Sequence, residues 1–123
     1  MAAIERFEDI KAWQMARELT REIYAAVREA SFARDYGLKD QITRASGSIM
    51  HNIAEGFDSN TNPDFIRFLG YAKRSCTEVQ SELYVATDQN YLTEDTFQRL
   101  YALSGEIRAA IHGFIRYLRD SNR

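Results

Sequence analysis

The sequence predicts an all-α protein, an antiparallel up-down-up-down four-helix bundle forming a single domain over residues 1–123. Three observations lead there. Apolar residues recur at three- and four-residue steps in four separate segments, the period of one helical face. No segment alternates with period two for the length of a strand. One proline and six glycines in 123 residues leave few breaks, and amphipathic helices joined by short connections pack as antiparallel neighbours.

The first helix is expected over residues 9–30, with Ile10, Trp13, Ala16, Leu19, Ile23, Val27 and Ala30 turned inward. Met15, Tyr24 and Ala26 widen that apolar face, and the pattern decays in "SFARDYG". The second helix spans 38–55 and buries Leu38, Ile42, Ala45, Ile49 and Ile53, with Gly56 as the C′ residue that ends it. The third spans 63–90. Asn62 is read as its cap, Pro63 suits the first helical position, and Asp64 complements the positive end of the dipole. Its inward face is Phe65, Phe68, Leu69, Ala72, Cys76, Val79, Leu83 and Ala86. The fourth spans 94–119 after Thr93 as cap, and buries Phe97, Leu100, Ser104, Ile107, Ile111, Phe114 and Leu118.

Composition excludes several functions. Hydrophobic residues make up 45% and charged residues 28%, a balance that folds. The net charge is −2, and each side of Gly56 carries eight basic and nine acidic residues, so no basic half or tail exists to bind nucleic acid nonspecifically. The N-terminus has no apolar core of signal-peptide length and no run approaches a membrane span, so a cytoplasmic protein is expected. Cys76 is the one cysteine; it allows no internal disulfide, and on a core face it is inert. A di-metal carboxylate bundle needs Glu-x-x-His on two helices, and neither His51 nor His112 follows a glutamate by three. No glycine-rich phosphate loop is present. No catalytic residue, metal or cofactor is therefore expected.

The stretch "NIAEGF" places Glu55 in the last turn of the second helix, where the dipole disfavours an anion by about 0.3–1 kcal/mol. Gln41, Arg44, Ser48, Asn52 and Glu55 form one polar stripe beside the apolar face. The ordinary reading is a solvated edge; a polar seam between helices is the alternative. "QITRASGSIMHNIAEGF" followed by "FIRFLGYAKRSCTEV" resembles the signature of the bacterial four-helix-bundle family of 23S rRNA intervening-sequence proteins, and "FEDIKAWQMA" fits its first helix. Accessory proteins of diversity-generating retroelements are similar in fold. The resemblance implies an up-down bundle assembling as a ring, most often of five subunits, with no established catalytic activity. Where that family often has glycine before the serine of the third helix, this chain has Arg74.

In an antiparallel hairpin turning near residues 57–62, Glu55 is expected to reach Arg67, Arg44 to reach Glu78, and Ser48 to lie near Ser75. Arg44 and Glu55 lie roughly 16 Å apart along one helix and do not pair with each other. Glu55 is thus read as structural, its helix end offset by a cation on the next helix.

Two features of the fourth helix bear on partners. Arg108, His112, Arg116, Arg119 and Arg123 fall within about 80° of one another, and from Arg99 onward five arginines face Glu106 and Asp120. Such a stripe grips phosphates or is a solvated edge; the aromatic interleaving of a stacking platform is missing. Ala102, Gly105, Ala109 and Gly113 cluster roughly opposite the core face. Glycine inside a helix costs about 0.5–1 kcal/mol relative to alanine, so close approach of another helix supplies a reason for them. The expected function is a non-enzymatic, ring-forming scaffold or adaptor: a cyclic homo-oligomer, five-membered by the family resemblance. The alternative is an RNA- or DNA-associated protein using Arg108, Arg116 and Arg119.

Overall fold

Capping chemistry and apolar spacing together divide the chain, and a computed structural model describes residues 4–121 of it. A 3-10 turn at Phe7–Asp9 precedes α1 (Lys11–Ala26). A short α2 (Ala30–Arg34) leads into α3 (Tyr36–Phe57), followed by α4 (Asn62–Asp88) and α5 (Glu94–Asp120). The four predicted helices are α1, α3, α4 and α5. They form an antiparallel four-helix bundle in which α1 packs on α3 and α5, α3 on α4, and α4 on α5. Among the described residues no helix is long and apolar enough to cross a membrane.

The first helix stops four residues earlier than its pattern suggests, and Ala30 is exposed at the start of α2. The cause is Phe32, which is 2% exposed and stacks on Tyr91 with ring centroids 5.0 Å apart. Burying such a ring is worth about 1.5–3 kcal/mol, enough to favour a separate turn that carries it inward. Asp35 then sets the start of α3: Oδ1 accepts from the Leu38 amide at 3.1 Å, while Oδ2 accepts from the Tyr91 hydroxyl at 2.9 Å.

Two terminal assignments change. Gly56 does not end a helix; it lies buried inside α3, without a positive φ. Thr61, not Asn62, caps α4, its Oγ1 accepting from the Asp64 amide at 3.3 Å. Asn62 instead donates to the Leu118 carbonyl at 3.2 Å and to Ser121 Oγ at 2.8 Å, closing the far end of α5. Thr93 caps α5 as expected, accepting from the Thr96 amide at 3.1 Å. Asn90 takes the left-handed conformation, φ 63°, in the turn between α4 and α5, a geometry asparagine tolerates better than most residues.

The core runs the length of the bundle. Leu19, Ile23, Ile42, Ile49, Ile53, Leu69, Leu83, Leu100, Ile107 and Ile111 are all but sealed from solvent. Phe65, Phe68 and Phe114, read from spacing as core, are only partly buried. Ile115, absent from the expected face, is buried.

Candidate functional site

The "NIAEGF" motif positions α3 against α4. A Cβ placed on Gly56 would meet Phe65 Cδ1 at 2.8 Å and Phe68 Cβ at 3.0 Å. Only a residue without a side chain allows that approach. Two turns earlier the same seam is polar: Ser75 Oγ donates to Ser48 Oγ at 3.1 Å. Asn52 donates to the same Ser48 hydroxyl at 3.0 Å and to the Ser48 carbonyl at 2.9 Å. Ser48, Asn52 and Ser75 thus form one hydrogen-bonded link across the hairpin, with Ser75 buried.

The charged members of the expected seam behave differently. Arg67 pairs with Asp64 on its own helix at 3.4 Å and lies over the Phe68 ring, 4.7 Å from its centroid. Arg44 pairs with Asp40 at 3.0 Å rather than with Glu78. Both prefer partners one turn away because such pairs require no alignment between helices. Glu55 is exposed, and among the described residues it makes neither an ion pair nor a side-chain hydrogen bond. It shares a surface recess with Arg6, Glu8 and Asp58, where Arg6 bridges Glu8 at 2.7 Å. The expected compensation of Glu55 by Arg67 is therefore corrected: Arg67 is held by Asp64, one turn away on its own helix.

One titratable group was invisible to the spacing argument. Glu82, on α4, is half-buried, and its Oε1 is shut off from water with no hydrogen-bond partner. Burial first, and the neighbouring Glu78 charge second, push its carboxyl up to about 7. Burial likewise pushes the Cys76 thiol up to about 12. Among the described residues no three histidine, cysteine or carboxylate side chains are grouped to hold a metal.

The arginine stripe lies along the edge between α4 and α5. Arg108, His112, Arg116 and Arg119 are all exposed, while Arg123 lies outside the described residues. Two of these side chains reach across to α4. Arg108 Nε donates to Thr77 Oγ1 at 3.2 Å, and His112 Nδ1 sits 3.1 Å from Lys73 Nζ. The ion pairs among the described residues lie elsewhere, at Arg6–Glu8, Arg21–Glu18, Arg44–Asp40, Arg67–Asp64 and, between α5 and α1, Arg99–Glu22.

The small residues of α5 divide in two. Ala102, Ala109 and Gly113 are exposed, and a Cβ on Gly113 would meet open space. Gly105 is half-buried at the α4 edge instead, where a Cβ would stand 3.4 Å from Gln80 Nε2. That amide reaches over α5 to the Tyr101 carbonyl at 3.4 Å, so Gly105 lies beside Gln80 at the α4 edge. Below Gly113 the helix borders an apolar groove of about 620 Å³ between the start of α1, the α3–α4 turn and the end of α5. Ile4, Ile10, Phe57, Phe65, Phe114 and Tyr117 line it. Ile4 and Tyr117 are 41% and 56% exposed at its rim.

Comparison with known proteins agrees with this architecture. The family model described as 23S rRNA-intervening sequence protein matches residues 8–113. A crystal structure of a protein with unknown function from the S23 ribosomal protein family of Bacteroides thetaiotaomicron superposes with a TM-score of 0.78 at 22% identity, covering 85% of this chain and 95% of that one. At that identity the likeness shows the fold. No curated protein matches the chain. Neither description names an enzymatic activity.

Proposed function

The chain belongs to the 23S rRNA-intervening sequence protein family, and from that premise we propose that it is a non-enzymatic scaffold or adaptor built by self-assembly. The observation that carries this reading is the apolar groove bounded by α1, α4 and α5, uncovered in a single chain, with Ile4 and Tyr117 exposed at its rim. Contiguous exposed apolar surface of this kind marks an interaction site. Ala102, Ala109, Gly113 and Tyr117 fall on one outer side of α5 by helical spacing, so the small residues lead into the groove. A neighbouring subunit's helix lying along that side would cover both. The protein is then a cyclic homo-oligomer, and the family resemblance favours five subunits. The cytoplasm is the compartment this reading assigns.

Light scattering and circular dichroism test it. The parent protein is expected to assemble at micromolar concentration. Ala109→Leu overfills a close seam, at a cost of roughly 1–3 kcal/mol per contact, and Tyr117→Asp places a charge beside the groove. Both variants should lose assembly while keeping their helical signal. A monomeric parent protein, or normal assembly of both variants, rejects the proposal.

A second reading rests on a different observation: Arg108, Arg116 and Arg119 are exposed, and none of them stands in an ion pair among the described residues. In this reading the stripe holds RNA or DNA, and assembly multiplies several weak patches into one avid surface. Replacing all three arginines with glutamine should weaken RNA binding and flatten its dependence on salt. A salt slope that stays unchanged removes the stripe from that role.

A further inference from the structure

We propose that α4 and α5 together form a two-helix clamp for the phosphodiester backbone of a single-stranded nucleic acid, with Lys73 as the residue that closes it. This rests on the nucleic-acid reading of the arginine stripe and adds the second wall, which no spacing argument on α5 alone reveals.

The starting point is the contact between Lys73 Nζ and His112 Nδ1, 3.1 Å apart on facing helices. An ammonium group has three donors and no acceptor, so Lys73 donates and Nδ1 accepts in this contact. One turn along, Arg108 Nε is held by Thr77 Oγ1 at 3.2 Å. Lys73 and Arg108 are thereby held on either side of the α4–α5 seam, each by a side chain from the other helix. Among the described residues neither is matched by a carboxylate within ion-pair distance. A protein that leaves several cations side by side without counter-charges carries their mutual repulsion, and an incoming anion relieves it.

The shape selects the anion. Arg108, the Lys73 ammonium held at His112, and Arg116 follow one another at four-residue steps of α5, about 6 Å each along the helix axis, and Arg119 continues the row. A row of charges at regular intervals suits a linear polyanion whose own charges repeat. Farther along the same α4–α5 edge Tyr84, 51% exposed, packs on Tyr101 with ring centroids 5.5 Å apart, a surface on which an unpaired base can stack while the cations hold phosphates; stacking tolerates every base, so the clamp holds strands of any sequence.

The test is fluorescence anisotropy of the full chain with a labelled mixed-sequence single-stranded RNA across a salt series. Variants are Lys73→Gln and the triple arginine-to-glutamine protein. Arg28→Gln is the control, removing one exposed charge from the α1–α2 connection. Circular dichroism checks the fold of each. The clamp requires that Lys73→Gln reduce the salt slope by about 0.7, one single-strand phosphate contact, while Arg28→Gln leaves it unchanged. If the triple variant loses binding and Lys73→Gln matches the parent protein, the nucleic-acid reading stands and the two-helix clamp is wrong. No RNA binding by the parent protein overturns both. Tighter binding of polyglutamate than of RNA assigns the seam to an acidic protein and overturns the clamp as stated.

Discussion

Gly56 in α3 and Phe65 in α4 approach so closely that a single methyl group on the glycine would come within 2.8 Å of the ring. Phe68 Cβ, at 3.0 Å, is tied to the α4 backbone and has no freedom to move aside. Gly56→Ala therefore forces the two helices apart, against the usual benefit of alanine in a helix. We expect a loss of roughly 1–3 kcal/mol, the range for overpacking. Gly70→Ala in α4, with nothing within 4 Å of an added Cβ, should instead gain about 0.5–1 kcal/mol of helix stability. Urea unfolding measures both, and equal effects of one sign would refute the contrast.

The polar link should couple and the charged one should not. Removing the Ser48–Ser75 hydrogen bond costs about 0.5–1.5 kcal/mol, so a double-mutant cycle of Ser48→Ala and Ser75→Ala is expected to show a coupling energy of that order. Glu55→Ala should stay within about 0.5 kcal/mol of the parent protein, as for other surface sites, and add independently to Arg67→Ala. Coupling between Glu55 and Arg67 would contradict the arrangement in which Asp64 takes that arginine.

Glu82 gives the stability a dependence on pH. Its carboxyl holds a proton up to about 7 in the folded chain, against an ordinary value of 4.5. The folded state thus binds the extra proton in between, and the associated stability, complete below the ordinary value, is lost as pH rises through about 7. Since the side chain is only half-buried, solvent screening limits the effect to roughly 1 kcal/mol. Urea midpoints should fall between about pH 5 and pH 8, and Glu82→Gln should flatten that decline. An identical decline in the variant would assign the pH dependence to other groups.

Cys76 should be chemically silent while the protein is folded. The thiol is fully buried and pushed up to about 12, and the thiolate is the reactive form. A disulfide-exchange reagent should label it only after denaturant opens the bundle. Rapid labelling of the native protein would show that the α4 core face opens far more often than its packing implies.

Spacing alone located the long helices because each buries one face, and Leu38, Ile42, Ile49, Leu69, Leu83, Ile107 and Ile111 repeat at helical intervals. It failed where a single residue acts through a distant partner. Phe32 sits outside any periodic run, and its burial depends on Tyr91, far along the chain. Gly56 looks like a helix stop because glycine commonly is one, and only the proximity of two phenylalanines reveals its use. Thr61 and Asn62 are both capping types, and the choice between them is made by Leu118 and Ser121. Within the candidate seam, helix register brought Ser48 opposite Ser75, but it carries no information on which way long arginine side chains turn. Lys73 was missed for the same reason, since its relation to His112 exists only once α4 and α5 are packed.

The hydrogen bonds from Asn62 to Leu118 and Ser121 bear on how the molecule opens. A last helical turn ordinarily frays at almost no free-energy cost, and its amides exchange with water ahead of everything else. Here, releasing the end of α5 also strips a partner from the beginning of α4, so opening becomes a shared event. The last turn of α5 should then exchange its amide hydrogens in step with the central hairpin, and becomes a reporter of unfolding at the middle of the bundle.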